Sequence, residues 1–329
     1  MVMNSSTAPN IEQVAELSAQ VVQEVEKAVI GKRRVLTQMM AAFLSSGGHI
    51  LLEDYPGLAK TLIANSFATA LGLEFNRIQF TPDLLPGDIT GGYVFDSSQN
   101  QFRLRRGPVF ANIVLADEIN RASPKTQSAL LEAMQEYQVT LEGETLHLPE
   151  PFIVIATQNP IEYEGTFPLP EAQLDRFMVK LAIGYPSAAE EAEILLRRTE
   201  RKHDDVDLRA VISPATFLAM RAAVEEVYVE PDVRRYIVDM VGASRRHRQV
   251  AVGASPRGSL ALLKLARAWA ALQGRDFVIP DDVKEFIQLA LVHRLVLEPS
   301  LWGTPHTEDA IITEVAASVS VPVMRLSHD

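Results

Sequence analysis

Five short apolar runs constrain the fold of this chain more than any other feature of its 329 residues. Stretches with helical spacing separate these runs, which lie at His49–Glu53, Phe75–Phe80, Ile113–Asp117, Phe152–Ala156 and Val179–Gly184. Short apolar runs are typical of buried strands, and strands that alternate with helices predict a parallel sheet with helices on its faces. Helical spacing also predicts two helices ahead of the first strand, over Ile11–Ile30 and Lys32–Ser45. The sequence therefore predicts an α/β fold.

Two further pairs of short strands interrupt this alternation. Tyr93–Phe95 and Gln101–Leu104 flank one polar turn, and Gln138–Leu141 and Thr145–Leu148 flank another. Two strand-like segments around a short polar turn are typical of a β-hairpin. We expect both hairpins to protrude from the sheet.

The strand signals stop after Tyr185-Pro186, and signals for helix starts follow. Ser187 and Glu190 form a capping-box pattern, and serine-proline pairs downstream suit the first positions of further helices. We therefore expect two domains. Residues 1–186 would form the sheet domain with its two hairpins, and residues 187–329 a smaller all-helical domain with a C-terminal tail.

Composition excludes several functional classes. The chain has 31 basic and 42 acidic residues, a net charge of −11, so binding to nucleic acid or to an anionic membrane is not expected. A small basic cluster of Arg103, Arg105 and Arg106 keeps a nucleic-acid motor open as an alternative. The absence of cysteine excludes disulfides, thiolate metal sites and cysteine nucleophiles. No apolar run is long enough to span a bilayer and no signal pattern opens the chain, so we expect a cytoplasmic protein without membrane insertion.

The segment after the first strand has the layout of a phosphate-binding loop. The strand His49–Glu53 leads through the loop Asp54–Thr61 into a predicted helix, Leu62–Leu71. In such loops backbone N–H groups point at the phosphates, a lysine neutralises phosphate charge and a threonine hydroxyl binds Mg²⁺. Lys60 and Thr61 are the candidates for these two roles. The candidate nucleotide-binding residues of the segment are Asp54, Tyr55, Pro56, Gly57, Leu58, Ala59, Lys60, Thr61 and Leu62.

This loop departs from the usual pattern, G-x-x-x-x-G-K-[ST], at both glycines. Asp54 and Ala59 stand in their places, whereas Gly57 remains. The Asp54 carboxylate either faces the ligand and weakens phosphate binding or accepts N–H bonds within the loop, and we favour the second. The alternative for the whole segment is a chance Lys-Thr pair at a helix start, such as Lys125-Thr126.

Polar residues follow two other buried strands where each strand ends. Asp117 and Glu118 end the strand that begins at Ile113, and Asn159 follows the strand Phe152–Ala156. Open parallel sheets bind ligands at these ends. Asp117 would hold Mg²⁺ through water, Glu118 would activate the attacking water, and Asn159 would contact the γ-phosphate or that water. The alternatives are solvated acids at a strand end and an Asn-Pro turn.

Two arginines complete the candidate site. Arg176 precedes the last strand, and Arg257 lies at the start of a predicted helix in the second domain. A cation there opposes the helix dipole, which favours anions, so Arg257 indicates an anionic ligand. For either arginine the alternative is a surface ion pair.

Taken together, these residues resemble those of the MoxR family of AAA+ ATPases. The resemblance covers roughly residues 25 to 300. The matching segments are Leu51–Thr61, Arg77–Pro86, Gly107–Ala122, Lys125–Glu136, Ala156–Pro160 and Pro168–Phe177. Agreement over that many segments in the right order is specific.

The resemblance assigns roles to the candidate residues. It implies that Asp54–Thr61 is the Walker A loop and Ile113–Glu118 the Walker B strand. Asn159 falls at the sensor 1 position, Arg176 at the arginine finger and Arg257 at sensor 2. The first hairpin corresponds to the helix-2 insert, and the second to the insert before sensor 1. Ile30 and Gly31 fall where the family contacts adenine, although a helix stop also explains Gly31.

The resemblance also implies a function. It predicts a Mg²⁺-dependent ATPase assembled as a ring, expected to be a hexamer, with active sites between subunits. MoxR-like proteins are thought to be chaperones that activate or assemble partner proteins, often ones with a von Willebrand factor A domain. The alternatives are the nucleic-acid remodelling motor and a scaffold that binds ATP with little turnover.

Overall fold

The computed structural model describes residues 9–159, 165–301, 303–304 and 307–322. Its helices are α1 (Ile11–Val25), α2 (Arg33–Leu44), α3 (Lys60–Leu71), α4 (Pro86–Thr90), α5 (Pro124–Glu136), α6 (Glu171–Leu174), α7 (Ala188–Arg201), α8 (Pro214–Glu225), α9 (Pro231–Arg246), α10 (Pro256–Leu272), α11 (Pro280–Leu291) and α12 (Thr307–Ser318). Its strands are β1 (Ile50–Glu53), β2 (Phe75–Gln79), β3 (Gly91–Asp96), β4 (Gln101–Arg106), β5 (Ile113–Asp117), β6 (Gln138–Leu141), β7 (Glu144–His147), β8 (Ile153–Gln158), β9 (Val179–Leu181), β10 (Val250–Val252) and β11 (Val296–Leu297).

The five predicted buried runs form one parallel sheet in the order β2-β5-β8-β1-β9. The predicted parallel sheet is therefore confirmed, although strand ends differ by a few residues. β8 continues to Gln158, two residues beyond its apolar run, because β1 pairs with it as far as Glu53. All five strands run in one direction, so their C-terminal ends share one edge of the sheet and their N-terminal ends the other.

Side chains alternate between two apolar layers along the central strands. In β1, Ile50 and Leu52 belong to one buried cluster and Leu51 to the other, and in β5 Val114 lies opposite Ile113 in the same way. Successive residues of a strand point to opposite faces, so a sheet covered on both faces needs apolar residues at every position. This requirement explains why the runs are continuous.

Both predicted hairpins are present. β3 pairs antiparallel with β4, from Gly91 with Arg106 to Asp96 with Gln101, and β6 pairs antiparallel with β7. Each hairpin is a separate two-stranded sheet outside the central five strands. They protrude as expected.

Helices α7 to α12 follow the last strand of the sheet, and we call this largely helical region the lid. A short antiparallel pair, β10 with β11, is an addition that the sequence did not predict, because strands of two or three residues leave no periodic signal. One buried apolar cluster extends from α1 and α2 through the sheet into α10 and α11. The division at residue 186 therefore stays a prediction.

Across the described ranges, no helix is both long enough and apolar enough to cross a lipid bilayer.

Candidate functional site

The loop after β1 turns sharply into the N-terminus of α3. Gly57 and Ala59 have positive φ angles of 81° and 56°. A Cβ at Gly57 would meet no described atom within 4 Å, so the loop is open on that side. The first turn of any helix has N–H groups without helical acceptors, and no described side chain caps α3 at its N-cap residue. An anion placed here would meet N–H donors and the positive end of the helix dipole.

Asp54 is buried, and its carboxylate is turned toward the end of β9. One oxygen, Oδ2, accepts the N–H groups of Ile183 and Gly184 at 2.6 and 2.7 Å, and Oδ1 accepts that of Tyr55 at 3.0 Å. The carboxylate thus accepts N–H bonds, as expected, but two of the three donors lie outside the loop. Lys60 Nζ donates to the Asp54 carbonyl oxygen at 2.6 Å. Asp54 and Lys60 therefore both anchor the loop.

Asp117, the last residue of β5, is held by both neighbouring strands. Its Oδ1 accepts the Thr157 hydroxyl of β8 at 2.6 Å, and its Oδ2 lies 2.7 Å from Nη2 of Arg77 on β2. The Arg77 side chain is about half exposed, so water screens this ion pair and it contributes at most about 1 kcal/mol. A bound cation would therefore displace Arg77 from Asp117 at small cost.

Glu118 has a left-handed backbone conformation, with a φ of 56°. Non-glycine residues rarely adopt it, and it persists here because contacts hold the residue on both sides. The Glu118 N–H donates to the Thr157 hydroxyl at 2.8 Å. Its Oε2 accepts Gln79 Nε2 at 2.6 Å and Arg121 Nη1 at 2.8 Å. Gln79 at the end of β2 and Arg121 in the turn after β5 therefore fix the direction of this carboxylate.

These groups surround one cavity of about 480 Å³ at the C-terminal edge of the sheet, which we call the phosphate cavity. Its described lining residues are Pro56, Gly57, Leu58, Ala59, Lys60, Thr61, Leu62, Arg77, Asp117, Glu118, Thr157 and Asn159. The structure thus brings together most of the loop, both strand-end acids and Asn159, while Pro160 lies outside the described residues. Cavities of this size accept small organic ligands.

Sequence reasoning assigned no role to three residues that shape this cavity. Arg77 and Gln79 are two residues apart on β2, so they lie on the same face and contact Asp117 and Glu118 on the adjacent strand. Thr157 contacts both acids from the other side. Their signal in the sequence is the presence of polar residues near the C-terminal ends of otherwise buried strands.

Ile30 and Gly31 are not among the described residues that line the phosphate cavity. A side chain at Gly31 would collide with Glu190 of α7. The next residue, Lys32, donates to the Tyr185 carbonyl oxygen at 2.8 Å, and the Tyr185 ring stacks on Tyr55 of the loop at 5.8 Å. Lys32 is therefore linked to the phosphate loop through Tyr185, and the adenine contact of Ile30 and Gly31 stays a prediction.

Arg176 and Arg257 line a different cavity, of about 210 Å³, which we call the arginine groove. His49 and Met178, which directly precede β1 and β9, line the same groove. The groove therefore lies at the N-terminal edge of the sheet. Neither arginine is among the described residues that line the phosphate cavity. β1 has four residues and β8 has six, so the two edges of the sheet lie about 13–20 Å apart.

Asp175 joins the lid to the sheet at this groove. Its carboxylate accepts Arg294 Nε at 2.8 Å and the Ser255 hydroxyl at 2.9 Å, and Arg257 Nη1 lies 3.9 Å away. Arg294 is buried, and burial lowers the pKa of its guanidinium. Losing one member of a buried ion pair is strongly destabilising because it leaves the other charge without a partner. Asp175 therefore fixes the position of the α10 N-terminus relative to Arg176.

His49 is buried at the floor of the groove and is neutral. Its Nδ1 accepts the Val154 N–H at 3.0 Å, so Nε2 carries the proton and donates to the Met134 carbonyl oxygen at 3.2 Å. Burial lowers the pKa of this imidazole to about 4, because a charged ring would lose its hydration. His49 connects three segments of the N-terminal edge.

Comparisons with known proteins agree with this geometry. Residues 49–179 match the ATPase family associated with various cellular activities (AAA), and residues 242–315 match the AAA lid domain. The uncharacterized protein YeaC of Bacillus subtilis is 47% identical over 95% of this chain and 98% of its own length. Chaperone MoxR1 of Mycobacterium tuberculosis is 43% identical over 91% of this chain and 81% of its own length.

Two more distant matches extend the comparison. Protein MoxR of Paracoccus denitrificans is 30% identical over 89% of this chain and 93% of its own length. A solved structure from Cytophaga hutchinsonii superposes with a TM-score of 0.87 at 38% identity, covering 94% of this chain and 96% of that one. These matches span the sheet domain and the lid together. The chain belongs to the MoxR family of AAA+ ATPases.

Proposed function

We propose that this protein hydrolyses ATP with Mg²⁺ in a ring, and that adjacent subunits share each active site. One observation carries the proposal: the phosphate cavity and the arginine groove lie at opposite edges of the same sheet. Within a single chain, the arginines of the groove therefore do not reach the phosphate cavity. A neighbouring subunit supplies the missing half.

The residues of the phosphate cavity fit a nucleoside triphosphate and Mg²⁺. The uncapped N-terminus of α3 and Lys60 would hold the β- and γ-phosphates. Thr61 and Asp117 line the same cavity, and Mg²⁺ needs few protein oxygens because it keeps several waters and binds phosphate oxygens. When bound, Mg²⁺ neutralises charge on the β- and γ-phosphates. Asp117 would exchange its contact with Arg77 for this cation.

Glu118 and Asn159 also line the phosphate cavity. Glu118 would orient and activate the attacking water, and Asn159 would donate to the γ-phosphate or align that water. Phosphoryl transfer depends mostly on positioning and charge stabilisation, so the fixed direction of the Glu118 carboxylate matters together with its ability to accept a proton from the water. Gln79 and Arg121, which contact Glu118, act as positioning residues.

The arginines would act on the nucleotide of the adjacent subunit. Arg176 would be the arginine finger, and Arg257 lies in the same groove, so both would approach the same γ-phosphate. Interactions between unlike edges generate a closed ring when the rotation between subunits closes. The family resemblance indicates six subunits.

The cellular role that we propose is that of a cytoplasmic chaperone. The relative named Chaperone MoxR1 supports a chaperone role, and the family resemblance indicates that this role is to activate or assemble other proteins. The family resemblance adds von Willebrand factor A domains as expected clients. Co-purification from native cells, with ATP hydrolysis blocked, identifies the client.

Mixing two inactive variants tests the shared site. Arg176→Ala removes the finger and Glu118→Gln the water-activating group, so each pure variant should bind ATP and turn it over very slowly. In mixed rings, an Arg176→Ala subunit beside a Glu118→Gln neighbour has its own Glu118 and receives an intact arginine. Random one-to-one mixing completes roughly a quarter of the sites. If mixed rings, identified by mass, recover no ATP turnover, the shared site is contradicted. A separate measurement addresses the scaffold alternative: very slow turnover by the native protein at millimolar ATP would favour it.

A further inference from the structure

Helix α7 carries its apolar face outward. Its half-buried residues are all charged: Glu190, Glu193, Arg197, Arg198 and Arg201. Apart from Arg198 they recur at helical spacing and face the body of the protein. On the opposite side, Leu195 is 63% exposed and Leu196 is 52% exposed. No residue of this helix is buried. An amphipathic helix of a monomeric protein normally turns its apolar stripe to the core, so α7 is inverted.

The inversion is fixed by contacts of the polar face. The Arg197 guanidinium donates to the Glu26 carbonyl oxygen at 3.2 Å, and Glu190 lies against Gly31. Ser187 and Glu190 form the predicted capping box, which fixes the start of the helix. The leucines therefore remain in water unless another surface covers them. A contiguous exposed apolar stripe marks an interaction surface.

Helix α7 begins beside the nucleotide edge of the subunit. The segment that leads into the helix is joined to the phosphate loop twice, by Asp54 with Ile183 and Gly184 and by Tyr185 stacked on Tyr55. A neighbour whose arginines enter the phosphate cavity therefore passes close to α7.

The arginine groove of a second copy has matching chemistry. Leu260 and Lys264 follow Arg257 by one and two turns of α10, so the three side chains share one face. Leu260 is 55% exposed and lines the groove with Lys264. On α7, the exposed acids Glu191 and Glu200 flank the outward leucines. The outward face of α7 thus combines leucines with acids, and the α10 face combines a leucine with bases, so the two faces are complementary.

We infer that the outward face of α7 is a subunit contact that receives the α10 face of the adjacent copy. The inference rests on the proposed shared site, because the approach of the arginines brings the two surfaces together. In this contact, Leu195 and Leu196 of one copy pack against Leu260 of the next, in addition to the arginines that enter the phosphate cavity.

Substitution of Leu195 tests the contact. Leu195→Arg places a third cation against Arg257 and Lys264, and it should weaken assembly at least about tenfold, as expected for a central interface residue. ATP binding by the monomer and its unfolding midpoint should not change, since the side chain is exposed. Val238→Arg, at an equally exposed apolar position on α9, is the matched control and should assemble normally. Native-like assembly of Leu195→Arg, measured by mass across a dilution series, overturns the inference.

Cross-linking locates the contact directly, because the chain has no cysteine of its own. Leu195→Cys and Leu260→Cys, mixed as separate chains with a flexible bis-maleimide, should give a linked pair in the presence of ATP. A pair from Leu195→Cys alone means that two α7 helices meet, which overturns the inference, as does the absence of any pair. Recovery of activity in the earlier mixing experiment then leaves the shared site standing, whereas failure of the native chain to assemble removes both proposals.

Discussion

The two edges of the central sheet differ in almost every physical respect, although the same strands form both. The C-terminal edge has positive φ angles at Gly57, Ala59 and Glu118, an uncapped helix and a half-exposed ion pair between Arg77 and Asp117. The N-terminal edge has a neutral buried histidine, His49, and a largely buried ion pair between Asp175 and Arg294. We call the first the rearranging edge, because a ligand can displace its half-exposed ion pair, and the second the fixed edge.

In the proposed site between subunits, this difference would divide the tasks. The edge that receives phosphate and Mg²⁺ would exchange partners when they arrive, as Asp117 would exchange Arg77. The edge that supplies the arginines would work by preorganisation, since charges aimed at a transition state stabilise it without rearranging. Substitutions at the two edges should therefore have separable effects on binding, turnover and stability.

The largest expected effect is a loss of ATP turnover when Arg176, at the fixed edge, is substituted. Arg176→Ala should lower ATP turnover by about 10³-fold or more, the usual contribution of an arginine finger, while ATP affinity stays native. The measurement pairs a turnover assay with equilibrium binding of ATP. Arg105→Ala on the exposed hairpin is the matched control and should keep native turnover. A loss of ATP affinity equal to the loss of turnover would place Arg176 in its own phosphate site.

Two substitutions at the other edge should separate binding from catalysis. Glu118→Gln should retain ATP affinity and lower turnover by about 10²–10⁴-fold, since it removes the group that activates water. Lys60→Ala should lose ATP binding itself, because the lysine neutralises phosphate charge. Equal losses of affinity in the two variants, measured by titration with ATP, would reject these roles.

The fixed edge should lose stability in acid. His49 is neutral when folded, with a pKa near 4, and its pKa in the unfolded chain is near 6.5, so the unfolded state binds the proton first. Its contribution is complete above about pH 6.5 and is lost as the pH falls to about 4, a change of about 3 kcal/mol. Urea unfolding across this range should show a smaller fall in the free energy of unfolding for His49→Gln than for the native chain. His147→Gln, at an exposed histidine, should keep the native pH profile.

The smallest effect should come from the loop anchor at the rearranging edge. Asp54→Asn removes a charged acceptor from three N–H groups and should lower the free energy of unfolding by about 1.5–3 kcal/mol. ATP should bind no more tightly, because the carboxylate is turned toward β9. Denaturant titration and ATP binding check the two parts, with Asp205→Asn as an exposed control. A clear gain in ATP affinity would mean that the Asp54 charge acts on the phosphates.

Local patterns in the sequence were sufficient for much of the fold and of the rearranging edge. Continuous apolar runs predicted the five strands. The polar residues at or after the ends of two of these strands, Lys60-Thr61 and Asp117-Glu118, predicted a ligand site at the edge where the strands end. Contacts between strands were not predictable in this way. The pairing of Gln79 with Glu118 depends on which strands are neighbours, and this order follows from the whole sheet.

Longer separations in sequence were harder still. The orientation of Asp54 depends on Gly184, 130 residues away, and the common groove of Arg176 and Arg257 depends on how the lid packs. The inverted orientation of α7 was invisible as well, because the periodicity of a helix reports its apolar face but not the side on which that face is covered.

The apolar cluster that runs from the sheet into α10 and α11 has a mechanical consequence. A lid that shares its core with its own sheet domain cannot swing as a separate body without exposing that core, and Asp175 with Arg294 adds a further restraint. We expect the subunit to unfold in one cooperative transition and to move as a rigid unit. In the proposed ring, ATP hydrolysis would then change the angle between subunits, and a client would experience torsion of the whole assembly.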